Sequence, residues 1–292
     1  MSRRARNAKI FNGIYNIYAF IIFAFLYIPV IVMVGFSFNN SRNNLMWKSF
    51  TTKWYSVLMQ DTEIWKVLGD TLIIGVLSTV LAVVIGTLGA VGMSKIKFKA
   101  KTIINVAMYI PIIIPEIVLA VATLLVLQKA NFSFGIGAMT LGNTTLVMPY
   151  VFITVKSRLV GMDPTIEEAS LDLGANRRYT FLHVTVPQIL PGIISGAFMA
   201  FTLAFDDLII CNFMADAATT TLPMKVYSQM KRGISPEINA MSTLILFGFL
   251  LIIGIYVAIN ALIKHKQNKE ENMARMVLEK EEAETKYEYQ EI

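Results

Sequence analysis

Apolar segments long enough to cross a bilayer constrain this chain most. A spanning helix needs about 20 predominantly apolar residues and must satisfy its backbone N–H and C=O groups within its own segment. Runs of that order lie at about 17–38, 67–93, 102–127, 136–155, 188–214 and 240–263. They predict an all-α integral membrane protein with six transmembrane helices. Composition agrees, because 55% of the 292 residues are hydrophobic, 16% are charged and the mean hydropathy is +0.58. The net charge of +6 would suit nucleic acid. Here, however, the basic residues flank apolar runs, as membrane topology requires.

Those flanking charges set the orientation. Arg3, Arg4, Arg6 and Lys9 precede the first run. That run is longer than the core of a secretory signal peptide and ends in Phe36-Ser37-Phe38-Asn39 without a small-residue cleavage site, so it reads as a retained helix. Lys95, Lys97, Lys99 and Lys101 crowd the link between helices two and three. Lys156, Arg158, Arg177 and Arg178 flank the segment between helices four and five, whereas the link between three and four holds only Lys129. The positive-inside rule therefore puts both termini and the segment 163–187 in the cytoplasm. The expected organisation is a cytoplasmic segment 1–16, a six-helix transmembrane domain 17–263 and a charged cytoplasmic tail 264–292, the tail being a solvated helix or a disordered end. Outside, residues 39–66 carry Trp47, Trp54, Tyr55 and Trp65, suited to an interfacial belt or an outer lid. Residues 215–239, with Thr219-Thr220-Thr221, Pro223 and Ser235-Pro236, read as a loop with room for a short helix.

Several chemistries are excluded or disfavoured. Cys211 is the only cysteine, which rules out an intramolecular disulfide and a multi-cysteine metal site. His183 and His265 lie outside the expected spans, and there is no Gly-x-Ser-x-Gly. No Gly-Lys-Ser/Thr triplet exists to cradle phosphates, so any ATP hydrolysis that powers this chain occurs on another polypeptide.

The polar island between helices four and five is the place where such a polypeptide could be met. Asp163-Pro164 suits a helix start, since Asp caps free amides and Pro is tolerated in the first turn. Glu167 and Glu168 follow where the helix dipole favours anions. The chain then turns at Gly174 and runs through Tyr179-Thr180-Phe181 to Pro187. On physical grounds this is either a plain cytoplasmic loop helix or an element that fits a groove on a partner.

The spacing breaks the tie. Glu168-Ala169-Ser170, three residues, Gly174, nine residues, then Val184-Thr185-Val186-Pro187 resembles the EAA loop of bacterial ABC-importer permeases. Ser170 and the two valines are mild departures from that pattern. The resemblance extends over most of residues 10–263. Through Phe205–Ile210, Thr221–Ser228 and Gly233–Ala240 it is most similar to the second permeases of spermidine/putrescine importers. It implies a type I ABC-importer permease fold in a bacterial inner membrane. It also implies a homologous second permease, an ATP-binding subunit dimer and an extracellular binding protein. ATP and Mg would sit on the ATPase, with no cofactor on this chain. Glu167, Glu168, Ala169, Ser170, Leu173, Gly174 and Pro187 would form the ATPase-coupling element. Two other classes stay open: a permease for another small solute, and a secondary transporter or channel acting alone.

The substrate chemistry is expected elsewhere. Glu116 falls near the middle of helix three, and Asp206 and Asp207 toward the outer half of helix five. An acid at the centre of a span costs about 2.5–3.5 kcal/mol on insertion scales, so it should face a cavity or a partner. Three acids would make a passage that attracts cations. Pairing with a partner permease, or capping a broken helix, is the alternative. Tyr109 and Phe205 could add cation–π contacts or serve as packing. Pro111, Pro115, Pro187 and Pro191 mark places where backbone carbonyls are freed. Gly86, Gly89, Gly92, Gly192 and Gly196 would let helices approach closely.

Overall fold

A computed structural model describes residues 3–41, 46–96, 99–231 and 236–288; Lys97 and Gly233-Ile234-Ser235 lie outside the described residues. In chain order the helices are α1 (Arg3–Phe36), α2 (Lys53–Gln60), α3 (Thr62–Lys95), α4 (Lys101–Ala107), α5 (Ile110–Ile113), α6 (Glu116–Lys129) and α7 (Ile136–Val160). Then come α8 (Pro164–Asp172), α9 (Arg177–Thr180), a π turn (Phe181–Thr185), α10 (Val186–Asp206), α11 (Ile209–Met214), α12 (Leu222–Met230) and α13 (Pro236–Glu288). The only β pairing among the described residues is an isolated bridge between Asn39 and Phe50.

Five unbroken helices are long and apolar enough to cross a membrane: Tyr15–Phe36, Thr62–Lys95, Ile136–Val160, Arg177–Asp206 and Pro236–Leu262. Lys101–Ile113 and Glu116–Lys129 pass the same test only as a pair, bent by 112°, and taken together they bring the number to the expected six. The third helix is therefore not the continuous 102–127 segment that its apolar length predicts. Pro111 and Pro115 lack the N–H that continues the ladder, and a residue preceding proline is pushed out of the α region. Ile114 accordingly sits at ψ 136° and Pro115 at ψ 132°. The fifth helix also departs from the expected 188–214. Helical backbone begins at Arg177, and α10 ends at Asp206 with Asp207 extended at ψ 123°. Glu116 is thus the first residue of α6 and not a mid-helix acid, and Asp206 and Asp207 mark a helix end.

The chain divides into two units, Met59–Ile234 and Met1–Leu58 with Ser235–Ile292. Within the first, α7 is the centre, packed by α3 and α10. Ala82, Ala90, Val147, Val151, Phe152, Val155, Ile189, Ala200 and Ala204 form one buried cluster. Ile74, Leu119, Ala120, Ala138, Met139, Ile210 and Met214 form another, drawing on α3, α6, α7 and α11. Lipid is as apolar as these side chains, so close van der Waals contact is what such packing gains. Gly86 illustrates this: a Cβ there would lie 3.0 Å from Val151 Cβ and 3.1 Å from both the Met148 carbonyl oxygen and the Phe152 nitrogen. Gly192 and Gly196 approach α7 as closely, whereas a Cβ at Gly92 would meet nothing within 4 Å among the described residues.

In the other unit, α1 and α13 touch, and α13 continues helical to Glu288. The outer segment after α1 is ordered by Asn39, which is fully buried. Its Nδ2 donates to the Met46 carbonyl, its Oδ1 accepts from Lys48 N, and its own carbonyl accepts from Trp54 Nε1 at 2.7 Å. Met46, Trp47 and Phe50 remain exposed.

Candidate coupling loop and membrane acids

The loop after α7 is built as its sequence suggests, from local capping. Asp163 accepts from Thr165 N at 3.0 Å and from the Thr165 hydroxyl at 2.8 Å, and these bonds hold its carboxyl below the usual carboxylate range. Pro164 follows in the first turn. At the other end α8 closes on Gly174, whose φ is +87°, a conformation glycine adopts without strain. Gly174 N donates to the Leu171 carbonyl and Ala175 N to the Ser170 carbonyl, the paired bonds of a Schellman motif. Asn176 then caps α9 by accepting from Tyr179 N at 2.9 Å. From α9 the chain passes through the π turn into α10 without a break, so Pro187 stands in the first turn of α10.

The predicted coupling residues divide by direction. Glu168 and Ala169 are exposed, and Leu173 is 89% exposed. Ala169 and Leu173, with Ile166, Gly174, Ala175 and Tyr179, line an open groove of about 690 Å³. Ser170 is half-buried, its hydroxyl 3.0 Å from that of Thr180. Glu167 turns the other way. It accepts from Lys95 Nζ at 2.8 Å and 3.0 Å on its two oxygens and from the Thr185 hydroxyl. Partial desolvation opposes its ionisation, but the bonds from Lys95 and Thr185 win and hold its carboxyl below the usual range. That pairing joins residues 72 positions apart and carries no sequence signal.

The three membrane acids come from two chain segments and stand at two helix breaks. Glu116 opens α6 directly after the Pro115 kink, and its side chain is half-buried. Asp207 is buried and caps α11, accepting from Ile210 N at 3.1 Å and Cys211 N at 2.8 Å. Asp206, one residue earlier, is exposed. The Glu116 and Asp207 carboxyls are near enough to interact directly, while Asp206 acts on Glu116 only through its charge. Asp207 thus has a structural task as well, the helix-capping alternative named above. Two carboxyls this close resist ionising together, and a shared proton or a nearby positive charge relieves that repulsion. Of the two aromatic candidates, Tyr109 stands edge-on to Phe152 and has Lys156 Nζ 5.9 Å from its ring centre. Phe205 packs against Phe201. Among the described residues no group of three or more His, Cys, Asp or Glu side chains is placed to hold a metal ion.

Around the outer end of α3, Lys225 pairs with Glu63 at 2.8 Å, Lys66 Nζ donates to the Ala218 carbonyl, and Leu222 N donates to the Thr71 hydroxyl. These bonds tie α12 and the preceding loop to α3. The sequence of 215–239 reads as a loop with room for a short helix and gives no anchor for one.

Comparison with known proteins sets these features in a family. Residues 82–269 match the model of the binding-protein-dependent transport system inner membrane component. The spermidine/putrescine transport system permease protein PotC of Escherichia coli K12 is 35% identical over 225 residues, covering 77% of this chain and 85% of that protein. The putrescine transport system permease protein PotI of the same strain is 36% identical over 239 residues, covering 80% and 85% respectively. Among solved structures, a chain of a bacterial ABC transporter involved in import of the acidic polysaccharide alginate aligns with a TM-score of 0.62 at 14% identity, covering 89% of this chain and 98% of that one. The fold, the matched family model and relatives this similar agree: the chain belongs to the inner-membrane permease components of binding-protein-dependent ABC importers.

Proposed function

We propose that this permease forms half of the membrane pathway of an ATP-driven importer for polyamines of the spermidine and putrescine class. A homologous second permease completes the pathway, an ATP-binding subunit dimer carrying ATP and Mg docks on residues 163–187, and an extracellular binding protein delivers the substrate. The observation that carries the substrate reading is the placing of Glu116 and the exposed Asp206 on either side of the capping Asp207, at the breaks before α6 and after α10. Polyamines are flexible chains of separated ammonium groups, and converging carboxylates suit one such group at a time. The similarity to PotC and PotI supports the same class. Docking on 163–187 is supported by the exposed Glu168, Ala169 and Leu173 beside the Gly174 turn.

The test is polyamine uptake by the reconstituted complex carrying Glu116→Gln or Asp206→Asn. Uptake is expected to fall roughly ten- to a hundredfold, the scale of one lost charge-assisted contact of about 1.5–3 kcal/mol, with the subunits still co-purifying. Unchanged uptake in both variants would refute the acid pathway. Binding of labelled polyamines to the cognate extracellular protein separates this substrate class from another small solute carried on the same architecture.

A further inference from the structure

The helix α8 has no buried residue, so apolar packing does not fix it to the membrane helices. Its attachments are polar. Besides the Ser170–Thr180 hydroxyl contact, they concentrate on Glu167. Lys95, the last residue of α3, reaches both carboxylate oxygens of Glu167, while Thr185, the last residue of the π turn leading into α10, donates to one of them. Lys95 Nζ also lies 3.5 Å from the Thr185 hydroxyl oxygen and 5.9 Å from the centre of the Phe181 ring. One carboxylate on α8 therefore receives from the ends of two different membrane helices. The Glu167 side chain is 20% exposed and that of Lys95 39%, so solvent screens the pair mainly from the lysine side. Glu168, next in sequence, is rotated about 100° around the helix and faces solvent.

We infer that Lys95, Glu167 and Thr185 form a joint that carries movement of the docking helix into α3 and α10, and that Glu167 serves this joint while its neighbours meet the ATPase. The inference rests on the reading of 163–187 as the docking loop. Glu167 is a positioning residue in this account. The π turn suits such a place: it inserts one residue into the helical ladder, and π turns recur at functional positions in helices. Through the joint, a displacement of α8 by the nucleotide-driven partner pulls on both membrane helices together. Without the joint, α8 would remain seated on the partner but would be tied to the membrane helices mainly through the covalent chain.

The complete reconstituted complex provides the test, with Glu167→Gln, Lys95→Met, Thr185→Val and the charge-reversed pair Lys95→Glu with Glu167→Lys. Three quantities are read: ATPase subunits retained on purification, ATP hydrolysed, and substrate taken up per ATP. Glu167→Gln and Lys95→Met are expected to keep the ATPase subunits while uptake per ATP falls roughly tenfold, within the usual range of coupling between distant sites. Thr185→Val, which removes a donor without removing a charge, should produce a smaller fall of about threefold. The reversed pair should recover most of the loss. A merely structural role would lower subunit retention and leave the uptake-to-ATP ratio of the surviving complex unchanged, which would overturn the joint. So would loss of the ATPase in Glu167→Gln alone, because that places Glu167 at the interface. Leu173→Asp leaves the joint intact and probes the docking surface. If that variant keeps both the ATPase and full coupling, the docking reading fails whatever the joint variants do.

Discussion

Gly174 holds φ at +87° while accommodating both Schellman bonds, and a side chain there would need the left-handed conformation, at a cost of about 1–2 kcal/mol. A Cβ at this position meets nothing within 4 Å, so the penalty is backbone strain and not collision. Gly174→Asp is therefore expected to disturb the docking turn while leaving the membrane domain folded. Stimulated ATP hydrolysis and uptake should both fall, and wild-type values in that variant would contradict the role of the turn. Glu167 gives a second prediction. Its folded pKa is depressed below the ordinary glutamate range, so its contribution to holding α8 is present above that range and is lost as pH falls through the lower folded pKa. Limited proteolysis of the loop should stay flat from neutral pH down to about 5 and rise at lower pH. In Glu167→Gln that acid-induced rise should be absent or much smaller. The turn was legible from the sequence because Gly174 and the capping residues act locally. The Lys95 partnership of Glu167 was not, because only folding brings those two residues together.

At the scale of elements, two helix breaks decide where charge can exist inside the membrane. The first was half legible: Pro111 and Pro115 announced freed carbonyls, but an apolar run of spanning length still read as one helix. The second lacked proline or glycine as a warning. Its signal was Asp207 itself, a capping residue type within an apolar run, and sequence spacing could not separate that task from a place in the pathway. The structure separates the neighbours, since Asp207 is spent on Ile210 N and Cys211 N while Asp206 is exposed. Asp207→Ala removes a cap and leaves buried amides unpaired, which should destabilise the complex by about 1–3 kcal/mol. Asp207→Asn, which keeps an acceptor, should cost less. Asp206→Asn should leave the melting temperature unchanged yet slow uptake. A drop in melting temperature for Asp206→Asn as large as that for Asp207→Ala would contradict the division of labour.

At the scale of the molecule, α7 is the post against which α3 and α10 close, and small residues set how near they come. Gly86→Leu would drive a side chain into the backbone of α7 at Met148 and Phe152, and should destabilise by about 1–3 kcal/mol or more, read as a lower melting temperature of the purified complex. Segregated charge, apolar run length and the spacing from Glu168 to Pro187 were enough to read the fold class. The arrangement of the acids was not legible, because it depends on a 112° bend and on a cap that form only in three dimensions. The most direct test of the whole account is accumulation of labelled spermidine and putrescine in proteoliposomes containing this chain, its second permease, the ATPase and the binding protein. Accumulation is predicted to require ATP and to be lost with Leu173→Asp in the docking loop. Accumulation by the permeases without the ATPase, or undiminished uptake with Leu173→Asp, would contradict it.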